Sequence, residues 1–508
     1  MTEPIAIRVD SRVRVDASAL DVEVVARLKE DFEHKNPRHA MLRNIGKPTW
    51  SEPRKYVTWE ESDDGSCLTF PRGGLQRVRE VLRAAGHTWS VDDGRTEGAP
   101  DLRGRIPDHR VELWDHQEHA VVAAIARQNC IVRAPTGSGK TTMGFAVAAR
   151  LKLPTLVIVP TKGIFKQWLK RATVELGIKP RDVGVIQGKT RRIAPLTIAM
   201  QKTVSLMIES GDHDVLESFG LVLGDEVHLY AARTFFGAVD PIPAKYRVGF
   251  SADEHRQDRK EFLIYDVFGQ VACTVERQAV IDRGHIVDTE VFVVPTDFEA
   301  PWYGVPEEEP EEGEEEKDLD FDRLLKEMAA DEPRSELVTW CAAHVLEQGR
   351  QLLVMAHQRE HCRAIDAALV ARGVSSGFLI GGQDYEAEFD RSIAGLTEGR
   401  VRCAVGTIQA IGYGIDLPAI GDVLLSTPVA GNKYLFNQIR GRVCRGSKGK
   451  TDSRFFYLWD REVYGTRHLR NLMRWNKRVF VLSRRGGHGD TSMWVDARQY
   501  LKGGGRAA

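Results

Sequence analysis

The segment that most constrains this chain is CIVRAPTGSGKTT (130–142), followed directly by the helical stretch MGFAVAARL. A short apolar run, a glycine-rich turn and a helix in that order form one strand–loop–helix unit. The run is apolar on both faces, which suits a strand buried between helices in a parallel sheet. Backbone N–H groups of Gly137, Ser138 and Gly139 can wrap phosphate, because glycine tolerates the positive-φ turns that this requires. Lys140 can reach β- and γ-phosphate oxygens, the Thr141 hydroxyl can ligate Mg²⁺, and the helix N-terminus adds its positive end. The candidate nucleotide cradle is therefore Pro135, Thr136, Gly137, Ser138, Gly139, Lys140, Thr141 and Thr142. Ala134 stands where the general motif has Gly.

A second signal is LVLGDEVH (221–228), an apolar strand ending in two acids. Beside a phosphate loop, Asp225 would hold Mg²⁺ through its water shell. Glu226 would orient and deprotonate the attacking water.

Similar apolar runs recur at TLVIVP (155–160) and RVGFSA (247–252). Beyond an acidic stretch they resume at QLLVMA (351–356), GFLIGG (377–382), RCAVGT (402–407), VLLSTP (423–428) and FFYLW (455–459). Helical stretches lie between several of them, so the pattern predicts an α/β chain with two parallel-sheet domains. At 508 residues the chain is too long for one core. The predicted division is a small α+β domain at 1–104, a nucleotide-binding domain at 105–295, an acidic linker at 296–324, a second α/β domain at 325–484 and a flexible tail at 485–508. In the small domain, IAIRVDSRVRVD predicts strands and LQRVREVLRAAG (75–86) a helix closed by Gly86. The Gly-, Pro- and charge-rich stretch 92–108 reads as a linker.

The net charge of −1 conceals opposed zones. Residues 160–192 hold nine Lys/Arg against Glu175 and Asp182, and residues 440–485 hold fourteen against three acids. Such zones can bind a polyanion without making the whole chain basic. RHLRNLMRWNKR (467–478) would place Arg467, Arg470, Arg474 and Arg478 on one helical face, either solvated or against phosphates. Residues 307–322 carry eleven acids against Lys317, too charged to pack, and serve either as a solvated spacer or as a tethered phosphate mimic. No apolar run is long enough for a transmembrane helix, and the N-terminus lacks an apolar signal core. Seven cysteines without a CxxC pair predict neither a zinc site nor a disulfide framework and fit a reducing cytoplasm.

Taken in order, these motifs resemble the superfamily-2 helicases over about residues 110–480. The resemblance implies two RecA-like motor domains behind the small α+β domain, with ATP and Mg²⁺ as cofactors. LWDHQEHAV (113–121) looks like the adenine-recognition segment, which makes Gln117 the adenine reader. VPTKGIFKQW (159–168) and TIAMQKT (197–203) are similar to segments that track a nucleic-acid backbone, and His228 would couple the acidic box to its neighbours. RVGFSADEHRQD (247–258) resembles the coupling motif; Ser251, Arg256 and Asp258 match it, while Asp253 and Glu254 depart from it. In the second domain, VGTIQAIGYGIDLP (405–418) supplies Asp416, and QIRGRVCR (438–445) supplies Gln438 for the γ-phosphate or its water. Arg442 and Arg445 would neutralise charge on the transferring phosphoryl group, so the site becomes complete only when the domains close.

Within the superfamily the motif order looks closest to the XPB/UvsW/RadD-like group, which acts on duplex or branched DNA. The resemblance implies an ATP-dependent DNA helicase or branch-migrating translocase, in the cytoplasm or, for a phage-encoded chain, the host cytoplasm. The small domain is then a duplex-recognition module or a protein-docking domain. Two other readings stand beside this one. An RNA helicase would use the same phosphate-tracking motifs, and a nucleotide-gated nucleic-acid-binding switch would lack robust unwinding.

Overall fold

Strands buried on both faces build the larger sheets, and their order is set by which apolar runs pair. The computed structural model describes residues 3–44, 49–50, 53–212, 214–229, 237–252, 260–283, 286–303, 320–381, 385–412, 420–443, 452–484 and 493–502. It divides into two compact units, 1–277 and 278–508.

The first unit opens with β1 (Ile5–Val9), β2 (Arg12–Asp16), β3 (Cys67–Pro71) and β4 (Trp89–Asp93), arranged β3–β2–β1–β4 with Glu60–Glu61 on the β3 edge. Alternation puts Ile5, Ile7, Val9, Val13 and Val15 on one face. There α1 (Val22–Glu30) and α2 (Leu75–Ala84) cover them with Leu28, Val78 and Leu82. The α/β part then runs α3 (Asp115–Arg127), β5 (Asn129–Arg133), α4 (Lys140–Leu151), β6 (Thr155–Val159) and α5 (Lys162–Glu175). It continues through β7 (Gly184–Gln187), β8 (Thr190–Arg192), β9 (Leu196–Met200), β10 (Leu221–Gly224), β11 (Tyr246–Ser251), α6 (Phe262–Phe268) and β12 (Val271–Thr274). Among the described residues the sheet order is β8–β7–β9–β6–β10–β11–β5–β12, parallel except at the β7–β8 hairpin.

The stretch 92–108 is not a free linker. Its backbone lies against the first α/β domain, with bridges Thr96–Ala244 and Gly98–Phe219. A Cβ at Gly98 would fall 2.6 Å from the Ser218 carbonyl, and one at Gly220 would fall 2.3 Å from that of Glu97. The glycines there permit two backbones to touch, which composition alone cannot tell from flexibility. Side chains also join the small domain to its neighbour. Asp266 of α6, 0% exposed in its side chain, takes the Thr58 hydroxyl at 2.8 Å, His34 Nε2 at 3.0 Å and the Arg77 guanidinium. Buried Arg247 donates to the carbonyls of Ser11 and Asp240 at 2.9 and 2.8 Å.

The second unit is built from β13 (Thr289–Thr296), α7 (Phe321–Ala330), α8 (Glu332–Glu347), β14 (Leu352–Ala356), α9 (Arg359–Val370), β15 (Ser376–Leu379) and β16 (Cys403–Thr407). It ends with β17 (Asp422–Leu425), α10 (Lys433–Val443), β18 (Ser453–Asp460), α11 (Arg467–Trp475), β19 (Arg478–Arg484), β20 (Met493–Asp496) and α12 (Ala497–Lys502). Its order is β15–β16–β14–β17–β18–β13–β19–β20 among the described residues, parallel except for β19–β20.

Three boundaries differ from expectation. TEVFVVPT (289–296) belongs to the second sheet, between β18 and β19, so the division falls near residue 277 rather than 295. The expected linker 296–324 has packed flanks, with Phe298, Tyr303, Leu324 and Met328 sharing a small core; residues 304–319 of the acidic stretch lie outside the described residues. The expected tail contributes β20 and α12, where Trp494 meets Phe292 edge-on at 4.9 Å. Arg478 begins β19 and pairs with Glu290 instead of extending the arginine face of α11.

Candidate nucleotide site

Four adjacent strands, β6, β10, β11 and β5, bring their C-terminal ends to one place. Ligands of open parallel sheets sit outside such ends. The ends are tied together: the Ala134 N–H donates to the Ser251 carbonyl at 2.8 Å, and the Asp225 N–H to that of Ile158 at 3.1 Å.

From β5 the chain enters the glycine-rich loop. Gly137 and Gly139 have φ of 90° and 88°, where an L side chain would be strained. A Cβ at Gly139 would also fall 2.2 Å from Gln117 Nε2. The Ser138 hydroxyl closes the turn on the Pro135 carbonyl at 2.7 Å. Lys140 then starts α4, and its Nζ lies 3.0 Å from Glu226 Oε1.

Asp225 and Glu226 follow β10 and are both buried. Asp225 Oδ2 accepts from the Trp168 indole at 2.7 Å, and Oδ1 from the Glu226 N–H at 2.9 Å. Burial, and then the neighbouring Glu226 charge, push the Asp225 carboxyl up, while Lys140 and the indole hydrogen bond oppose them. Glu226 adopts φ 48°, a left-handed backbone that costs a non-glycine residue about 1 kcal/mol. Its Oε2 lies 3.7 Å from His228 Nδ1, which lies 2.6 Å from Ser251 Oγ. His228 thus links the acidic pair to the end of β11. The buried Thr141 hydroxyl and Asp225 carboxylate are hard oxygen donors of the kind Mg²⁺ takes, next to a loop shaped for phosphate. These residues fit a magnesium nucleotide.

Two expected nucleotide contacts are engaged elsewhere. Gln117, 2% exposed, donates from Nε2 to the Ser138 carbonyl at 2.9 Å and accepts the Trp114 N–H at 3.0 Å. Its amide therefore braces α3 against the phosphate loop instead of presenting both groups to a base. The Thr142 hydroxyl accepts from Arg171 of α5. On the second unit, α10 carries Gln438 and Arg442, whose side chains lie outside the described residues, as do Asp416 and Arg445. Asp253, Glu254, Arg256 and Asp258 lie outside them as well.

Trp168 and Arg171 went unseen in the sequence. A tryptophan on the apolar face of a helix looks like any core residue, and nothing in VPTKGIFKQW says that its last residue reaches the acidic pair.

Residues 110–254 match the family described as "Type III restriction enzyme, res subunit". The chain is 28% identical over 260 residues to a DNA 3'-5' helicase XPB of Mycobacterium tuberculosis, covering 49% of this chain and 46% of that protein. It is 25% identical over 358 residues to a DNA 3'-5' translocase XPB2 of Sulfurisphaera tokodaii, covering 66% of this chain and 79% of that protein. The match thus spans less than half of the mycobacterial relative. Among solved structures, S. cerevisiae Dbp5 bound to RNA and ADP BeF3 shares the fold, with TM-score 0.51, 14% identity and coverage of 73% of this chain and 90% of that one. No helix among the described residues is long and apolar enough to cross a membrane.

Proposed function

We propose that this chain, a superfamily-2 helicase of the XPB-like type by its matched domain and sequence relatives, couples ATP hydrolysis to movement along duplex or branched DNA. The observation that carries the reading is the buried Lys140–Glu226 pair at 3.0 Å, set between the phosphate loop and Asp225. An incoming triphosphate competes with Glu226 for the Lys140 ammonium. Displaced from Lys140, the Glu226 carboxylate is available to a water in line with the γ-phosphate. Gly137, Ser138 and Gly139 hold the phosphates through their N–H groups, and Lys140 takes the β/γ charge.

Thr141 and Asp225 would hold Mg²⁺, which when bound neutralises charge on the phosphates. Gln438, Arg442, Arg445 and Asp416 of the second domain complete the site in this reading. Domain closure then ties hydrolysis to displacement along the polymer. Phosphate contacts come from the basic zones at 160–192 and 440–485, and the chain works in the cytoplasm.

The test is ATPase rate with no polymer, single-stranded DNA, duplex, a fork, a four-way junction and RNA, together with strand displacement. Stimulation by duplex or branched DNA with displacement supports the reading. Stimulation by RNA alone makes the chain an RNA helicase, and stimulation without displacement makes it a gated binding switch; either replaces the proposal.

A further inference from the structure

α5 presents two different faces. Its outer face carries Lys162, Lys166 and Lys170, all exposed and one helical turn apart. Its inner face carries Phe165, Trp168 and Ala172, all buried. Trp168 is 0% exposed and makes a 2.7 Å hydrogen bond to Asp225 Oδ2. Its ring meets Phe145 of α4 edge-on at 4.8 Å. A Cβ on Gly144 would lie 2.6 Å from the indole, so the ring rests against the α4 backbone itself. One turn further along, Arg171 donates to Thr142 of α4 and pairs with Glu175 at 2.6 Å. α5 thus has two polar attachments to the nucleotide machinery, one to the acidic pair and one to the helix behind the phosphate loop.

We infer that Trp168 is a positioning residue through which polymer bound along the lysine face of α5 sets the Asp225 carboxylate for the magnesium nucleotide. Indole N–H only donates and has one direction, so the bond fixes both the rotamer of Asp225 and which oxygen remains for the metal's water shell. The other oxygen is held by the Glu226 N–H, which belongs to the strand end. Of the two restraints, only the indole rides on α5. A shift of that helix of under an ångström moves Nε1 off Oδ2, and a hydrogen bond weakens steeply over such a distance. Coupling of this kind is reciprocal, so magnesium nucleotide should also tighten polymer binding. The polymer half of this inference rests on the function proposed above; the Asp225 half does not.

The test replaces Trp168 in the full chain in two ways. Trp168→Phe removes the donor and part of the ring. Trp168→β-(3-benzothienyl)alanine keeps ring size and removes only the N–H, so it guards against a loss due to packing. Binding of a fluorescent ADP is titrated with Mg²⁺ in the absence of turnover. Polymer affinity is then measured with and without a non-hydrolysable ATP analogue. Both variants should raise the Mg²⁺ needed for half-maximal nucleotide binding about tenfold, leave nucleotide affinity in EDTA unchanged, and cut the nucleotide effect on polymer affinity at least fivefold. An isostere variant that titrates with Mg²⁺ like wild type overturns the inference, even if the Phe variant is impaired, because the loss is then one of packing. A wild-type chain whose turnover ignores every polymer overturns the proposed function and the polymer half, while the Mg²⁺ titration still decides the Asp225 half.

Discussion

Lys140 Nζ and Glu226 Oε1 lie 3.0 Å apart, so the cation that the proposed mechanism gives to phosphate is held by the carboxylate that it gives to the attacking water. Glu226→Gln keeps the shape and removes the competing charge. It should tighten ATP binding by up to about tenfold, roughly 1.4 kcal/mol, and slow hydrolysis at least about 100-fold. Lys140→Ala should lose both binding and turnover. Equilibrium binding of a fluorescent ATP analogue beside single-turnover hydrolysis checks this. A Gln variant that hydrolyses within a few-fold of wild type would assign the base to another residue.

The small domain is joined to its neighbour through Asp266, which receives Thr58, His34 and Arg77 together. Burial alone would raise its carboxyl, but the His34 hydrogen bond and the Arg77 charge outweigh it and hold the group below the ordinary carboxylate range. A depressed carboxyl contributes stability above its unfolded value near 4, and this is lost as pH falls through its lower folded value. Asp266→Asn leaves the Arg77 charge without its counter-ion and should cost about 3–5 kcal/mol. Urea unfolding of the full chain, with limited proteolysis at 92–108, measures it. The variant should also lose part of the wild-type protein's sensitivity below pH 4.

The strands were legible because apolar runs such as TLVIVP and LVLGDE have one physical use in a chain of this composition, burial on both faces of a sheet. What stayed hidden was pairing at long range. TEVFVVPT is not among the runs read as strands, and nothing local says that its partners are β18 and β19. Gly98 and Gly220 look like linker residues, because the absence of a side chain serves close approach as well as it serves freedom. The strand–turn–helix unit around APTGSGKT was legible because it is carried by spacing along the chain. The Trp168–Asp225 bond was not, because its partners meet only after α5 folds back over β6 and β9.

The strap at 96–99 offers a direct check on that point. Gly98 has φ 85°, and its missing Cβ faces the Ser218 carbonyl at 2.6 Å. If the stretch were flexible, Gly98→Ala would stabilise the chain slightly by restricting the unfolded state. With backbones in contact it should instead destabilise by about 1–3 kcal/mol. Gly104→Ala serves as a weaker comparison, since its φ is 74° but nothing lies within 4 Å of its Cβ. Thermal melts of the two variants separate strain alone from strain plus collision.

His361 and His468 of the second unit give it an acid limb of its own. They are 2% and 4% exposed, and burial drives both down to about 3, with Arg334 adding to the effect at His361 and Arg467 at His468. His468 also packs face to face on Tyr464 at 3.9 Å, and its Nδ1 lies 2.7 Å from the Tyr457 hydroxyl. Each ring is neutral when folded, whereas in the unfolded chain it takes a proton below about pH 6.5. Between about 6.5 and 3 the unfolded state therefore binds more protons, and stability falls as pH falls. The slope approaches about 1.4 kcal/mol per pH unit for each histidine once the pH is well below 6.5. The second unit should lose melting temperature progressively from pH 6.5 to pH 5, above the range where Asp266 acts. His468→Gln should flatten that loss while lowering stability at pH 8, since it gives up the stacking on Tyr464. An equal slope in the variant and the wild type would mean that other groups carry the acid limb.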